Sequence, residues 1–230
     1  MESPRDHRGR AGWLAAAGAR LLVWWPAKMT GTTVGMTVFF IAYFWVLNHP
    51  LFPVTTMPFT AIDRIVGFRP GALPLYFSLW IYVSLSPALL ADRRELVSYG
   101  VAAVALSTVG LAIFVLWPTA VPRLEVDWSQ YPSFAFLHSV DASGNACPSL
   151  HVAFAVFTAF WIDRLLRRMG AGRVARAINW LWCVGILYST MATRQHVFLD
   201  VLAGAVLGAI AAWSHLRWVR AGESRPGLSR

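Results

Sequence analysis

Apolar residues run along this chain in long blocks, without the strict alternation of half-buried strands. Six blocks stand out, at about 31–48, 72–91, 96–117, 149–166, 177–193 and 196–216. At a rise of ~1.5 Å per residue, each is of the length needed to cross a ~30 Å hydrocarbon layer, some with help from interfacial residues. The pattern predicts an all-α polytopic membrane protein with six transmembrane helices in one bundle. Residues 11–25 are moderately apolar, interrupted by Arg20 and too short to span. They predict an amphipathic helix lying on the membrane surface, ended by Pro26 and Lys28. Residues 1–10 are polar and basic and read as a poorly ordered end. The chain therefore divides into a cytoplasmic N-terminal segment (1–30), a membrane domain (31–217) and a basic tail (218–230).

The connections carry the punctuation. Pro87 sits inside the second block and predicts a kink. Asp92-Arg93-Arg94-Glu95 is a tight charged turn. Residues 51–71, rich in proline and aromatic residues, are expected to shape a headgroup pocket, with Arg64 and Arg69 as loop charges or lipid contacts. Residues 118–147 form the longest loop. Asp163 and Arg164 are expected to pair or to reach for the interface. Gly204 and Gly208, four apart in the sixth block, suit close helix packing.

Composition strengthens this reading. The chain is 57% hydrophobic and 13% charged, against about 25% charged in a soluble domain. Twelve tryptophans accord with indoles at lipid headgroups. The net charge of +9 would suggest nucleic acid in a soluble protein, but the basic residues are not interleaved with polar recognition segments. They mark loops instead. Segments 1–30, 92–95, 164–176 and 217–230 hold sixteen of the twenty lysines and arginines. The positive-inside rule then places both termini in the cytoplasm. Arg64, Arg69, Arg123 and Arg194 are left on the other side. A bacterial cytoplasmic membrane is the expected location. Cys147 and Cys183 make no disulfide framework.

With that topology, two polar motifs meet at the extracytoplasmic face. Cys147-Pro148-Ser149-Leu150-His151 opens the fourth block, and Arg194-Gln195-His196 with Asp200 opens the sixth. His196 and Asp200 are four residues apart, so on a helix they share a face. A neutral imidazole whose tautomer is fixed by a carboxylate is a nucleophile, and a second histidine can serve as acid. Ser149 and the amides of Leu150 and His151 begin a helix, where free N–H groups suit a phosphate. Arg123 and Arg194 offer guanidinium contacts. A zinc site built from His151, His196 and Asp200 fits by ligand type, but the surplus arginines favour an anion over a metal cation. No cofactor is expected.

Pro148-Ser149-Leu150-His151, Ser189, and His196 followed four residues later by Asp200 resemble the second and third signatures of the type 2 phosphatidic acid phosphatase superfamily. Leu150 stands where glycine is common and Thr190 where arginine follows the serine. Pro122-Arg123 is the nearest equivalent of the first signature. These departures resemble the branch of inositol phosphorylceramide synthases and their bacterial relatives. The resemblance implies a phosphohistidine at His196, His151 as general acid, Asp200 as orienting carboxylate and phosphate contacts from Arg123 and Arg194. The expected activity is metal-independent hydrolysis of a lipid phosphomonoester or diphosphate. Transfer to an alcohol acceptor is the near alternative, and a non-catalytic transporter or assembly factor the distant one. The expected partners are a membrane lipid phosphate and the bilayer, with no nucleic acid.

Overall fold

The computed structural model describes residues 4–122, 130–131, 133–134 and 144–223, with side chains from residue 12 to 219. It is a helical bundle with almost no sheet. In chain order the α-helices are α1 (Pro4–Leu22), α2 (Trp25–Asn48), the short α3 (Ala61–Val66), α4 (Leu73–Leu89), α5 (Arg93–Leu116), α6 (Leu150–Arg168), α7 (Arg173–Ala192) and α8 (Phe198–Glu223). Six of them, α2 and α4–α8, occupy the six apolar blocks. Among the described residues four stretches, Trp25–Asn48, Pro70–Leu89, Arg93–Leu116 and Phe198–Val219, are long and apolar enough to cross a membrane. The chain is thus a helical integral membrane protein. α6 and α7 are of similar length but carry charge at one end: Asp163, Arg164, Arg167 and Arg168 on α6, Arg173 and Arg176 on α7.

α6 is the centre of the bundle, packed against α4, α7 and α8. Val152, Ala155, Phe157, Ala159, Trp161 and Leu165 are fully buried on several of its sides, as expected of a helix that lipid does not reach. α6 and α8 approach backbone to backbone. A Cβ at Gly204 would overlap the carbonyl oxygen of Ser149, and one at Gly208 that of Ala153. The expectation for these two glycines holds, because only hydrogen fits between the helices. Gly110 of α5 is filled in the same way by the Leu150 side chain.

Several boundaries differ from the sequence reading. The first helix reaches back to Pro4, so residues 4–10 are helical. Pro26 and Lys28 do not end it. They belong to the first turns of α2, where proline's missing N–H has no partner to lose. Lys28 is buried, and its ammonium donates to Arg20 O (2.8 Å) and Ala88 O (2.7 Å). It ties together the C-terminal ends of α1 and α4, whose carbonyls carry partial negative charge. Asp163 and Arg164 do not pair with each other. Asp163 pairs with Arg176 at 2.7 Å and with Arg167, while Arg164 and Arg168 pair with Glu95 at 2.9 and 2.5 Å.

At the opposite end the connecting segments are ordered by one another. Thr55–Thr56 pairs in parallel with Thr119–Ala120, and Ala120 bridges to Gly144. The Thr119 hydroxyl accepts the Cys147 N–H at 2.8 Å, so this small platform leads directly into α6. The two cysteines are free and buried.

Candidate active site

His151 is the second residue of α6. Ser149 caps that helix, its hydroxyl accepting the Val152 N–H at 3.3 Å. The Ser149 N–H donates to Asp200 O at 3.0 Å, which joins the start of α6 to the first turn of α8. Ser149 is fully buried. Leu150 turns its side chain toward Gly110. Cys147 lies beneath, and burial first and the Asp200 carboxylate second push its thiol up to about 11, so it is held as the thiol.

His196 is not on the helix as expected; α8 begins at Phe198. His196 sits in the turn after α7, and that turn is a Schellman motif. Arg194 N–H donates to Met191 O and Gln195 N–H to Thr190 O, with Arg194 in the left-handed region at φ 62°. Glycine is usual there. The His196 N–H also donates to Thr190 O at 3.1 Å. Asp200, in the first turn of α8, reaches back to accept the Val197 N–H at 3.0 Å, as the acidic half of a capping box does. The same oxygen, Oδ2, stands 3.6 Å from His196 Nδ1. The predicted pairing survives because a turn feeding a helix keeps residues four apart close.

The two histidines meet. His196 Nε2 is 3.5 Å from His151 Nδ1, with ring centroids 5.6 Å apart. His196 Nδ1 and Asp200 Oδ1 are buried without hydrogen-bond partners. Among the described residues, no group of three or more His, Cys, Asp or Glu is placed to hold a metal ion.

The arginines behave differently. Arg123 lies outside the described residues. Arg194 donates from Nη1 to Asp63 O at 3.1 Å and stacks over Phe59 at 4.8 Å, while its Nε is buried without a partner. Thr190 donates its hydroxyl back to Leu187 O at 2.8 Å, so it offers no replacement for an arginine. Arg69 donates locally to Val66 O at 3.3 Å.

Two residues escaped the sequence reading. Asp63, in α3, forms a capping box with Thr60 and accepts the Phe198 N–H at 2.7 Å on its other oxygen. The 51–71 segment is therefore latched beside His196. The box Thr60-x-x-Asp63 was readable as a helix start, but its long-range partner was not. Tyr76, on α4, places its hydroxyl 3.0 Å from His151 Nε2; in the sequence it is one aromatic among many.

Beside the histidines lies a cavity of about 890 Å³ between α2, α4 and α5. His151 and His196 line one end, Trp24 and Lys28 the other. The lining follows α2 from Trp24 to Phe44, about 30 Å at 1.5 Å per residue. Its walls are mostly aliphatic and aromatic, including Phe39, Phe40, Trp80 and Phe154.

Fold and site together define a helical membrane protein with a paired-histidine and carboxylate centre at one end of an apolar cavity. The family model described as the PAP2 superfamily matches residues 73–214, and the chain belongs to that superfamily. It is accordingly a phosphatase-type lipid enzyme. No curated protein and no solved structure matches the chain.

Proposed function

We propose that the chain hydrolyses a lipid phosphate through a phosphohistidine on His196. The observation that carries this reading is the line Asp200–His196–His151, with separations of 3.6 and 3.5 Å. The Asp200 carboxylate favours a proton on His196 Nδ1, which leaves the Nε2 lone pair free as nucleophile. Nε2 faces His151. His196 Nε2 forms a bond to phosphorus as the bond to the lipid alcohol breaks, and His151 protonates the departing oxygen. Water then attacks phosphorus and regenerates His196. A phosphoryl group enters only if the two rings part, and the adjoining cavity gives them room. The lipid's hydrocarbon chain occupies that cavity. The Arg194 guanidinium, with its unpartnered Nε, and the amides of Leu150 and His151 are the phosphate contacts, and Arg123 is assigned the same part from the sequence. No metal takes part. The charge asymmetry of the loops supports a site on the extracytoplasmic face of a bacterial inner membrane, with both termini inside.

A second reading keeps the covalent step and replaces water by an alcohol, as in inositol phosphorylceramide synthases. Leu150 and Thr190 favour it, as does the burial of His196, which is 6% exposed and so poorly open to water. Phosphate release by purified, detergent-solubilised protein tests both. The panel is phosphatidic acid, an isoprenyl diphosphate, phosphatidylglycerol phosphate and a phosphoinositide, with His196→Ala alongside. Release that depends on His196 supports the hydrolase. Vanadate binding without release supports the transferase. Release that persists in His196→Ala refutes the nucleophile.

A further inference from the structure

We propose that Tyr76 is the positioning residue of His151. Its phenol holds the Nε2 edge of the imidazole, so that Nδ1 is the atom that gives and takes the proton. The inference rests on the reading of His151 as general acid.

Tyr76 lies in the first turn of α4 and is 3% exposed. Its Oη is 3.0 Å from His151 Nε2, and the two rings lie 5.3 Å apart, tilted by 35°. The other ring nitrogen, Nδ1, is the one that faces His196 Nε2. The two edges of His151 therefore meet different chemistry: the nucleophile on one side, a neutral phenol on the other.

The partners of the two histidines differ in charge, and that difference sorts their roles. A carboxylate stabilises the positive charge that an imidazole acquires when it becomes bonded to phosphorus, and Asp200 Oδ2 stands 3.6 Å from His196 Nδ1. A phenol hydrogen-bonds without supplying a negative charge.

Beside the bound phosphate dianion His151 is imidazolium, with Nε2–H donated to Tyr76 Oη and Nδ1–H directed at the phosphoryl group. As the His196 N–P bond forms and the P–O bond to the lipid alcohol breaks, the leaving oxygen takes the proton from Nδ1. His151 is then neutral, with its remaining proton on Nε2 and a lone pair on Nδ1. Water returns a proton to Nδ1 as its oxygen bonds to phosphorus and the N–P bond breaks. An alcohol acceptor would do the same. Without Tyr76 the neutral ring is free to place its proton on Nδ1, where it cannot act as base.

Tyr76→Phe keeps the ring contact and removes only the hydroxyl. The full-length protein in detergent is assayed on an alkyl lipid phosphate and on p-nitrophenyl phosphate, whose leaving group departs without a proton. The expected result on the alkyl substrate is a kcat lower by about 10- to 100-fold with KM unchanged, below the 10²–10⁴ range of the acid itself. On the aryl substrate kcat/KM stays within about threefold of the parent, since it reports the steps up to leaving-group departure, which there needs no proton. Parental kcat/KM on the alkyl substrate, or an equal loss of kcat/KM on both, overturns the proposal. A second measurement needs no variant at Tyr76. In ¹⁵N-histidine spectra, with His151 assigned by comparison with His151→Gln, neutral His151 carries its proton on Nε2. A proton on Nδ1 refutes the assignment. His196→Ala separates this proposal from the reading beneath it. If His196→Ala still turns over, the nucleophile is wrong and the proposal falls with it. If His196→Ala is inert and Tyr76→Phe is unimpaired, only the role of Tyr76 falls.

Discussion

Replacing Asp200 by asparagine isolates the charge beside the nucleophile. Asp200 Oδ2 accepts the Val197 N–H at 3.0 Å and lies 3.6 Å from His196 Nδ1. An asparagine oxygen still accepts the Val197 N–H, so the start of α8 is kept. What disappears is a unit negative charge 3.6 Å from a ring that becomes cationic as phosphorus bonds to it. At an effective dielectric of about 20, that interaction amounts to about 5 kcal/mol, a factor of about 10³ in rate. The amide dipole recovers part of it, so the expected fall in kcat is about 10²- to 10³-fold. The assay is phosphate release from the best substrate of the panel, with thermal unfolding measured alongside. Asp200→Ala removes the cap as well, and its additional loss of stability, about 1 kcal/mol, measures the cap apart from the charge. An Asp200→Asn protein that is folded and retains a third or more of parental kcat refutes the orienting role.

Gly204→Ala should destabilise and inactivate the protein, because its Cβ overlaps the Ser149 carbonyl and forces α6 away from α8. The expected cost is about 1–3 kcal/mol, seen as a lower unfolding temperature, whereas Gly18→Ala, with nothing near its Cβ, should be neutral or stabilising. Equal unfolding temperatures for the two variants contradict the close approach. At the left-handed Arg194, glycine should be more stable than alanine by about 1 kcal/mol, while both raise KM alike through loss of the guanidinium. Parental KM in both removes Arg194 from the phosphate contacts.

The six apolar blocks were legible because a helix in hydrocarbon must be apolar over its whole span, which leaves long unbroken runs in the sequence. The histidines and Asp200 were legible as residue types at set spacings. Helix ends were less so. Pro26 reads as a stop, yet a proline in the first turn of a helix starts one, and the residues alone do not separate the two cases. His196 falls two residues outside α8 because the turn after α7 closes as a Schellman motif on Thr190 and Met191. An arginine occupies the left-handed position of that turn, so the usual glycine signal is missing.

A helical membrane chain, a charge asymmetry along it and a set of residues suited to phosphoryl chemistry are written in the order of the amino acids. Which atoms of those residues face one another depends on how the helices pack. The tertiary structure brings Tyr76 to His151 across 75 positions and Asp63 to Phe198 across 135. The physical reason is that periodicity records which side of an element is apolar, and so which elements pack. A hydrogen bond between distant elements depends on the depth and rotation of each helix, set here by features such as the Gly204 contact with Ser149, and leaves no period in the chain.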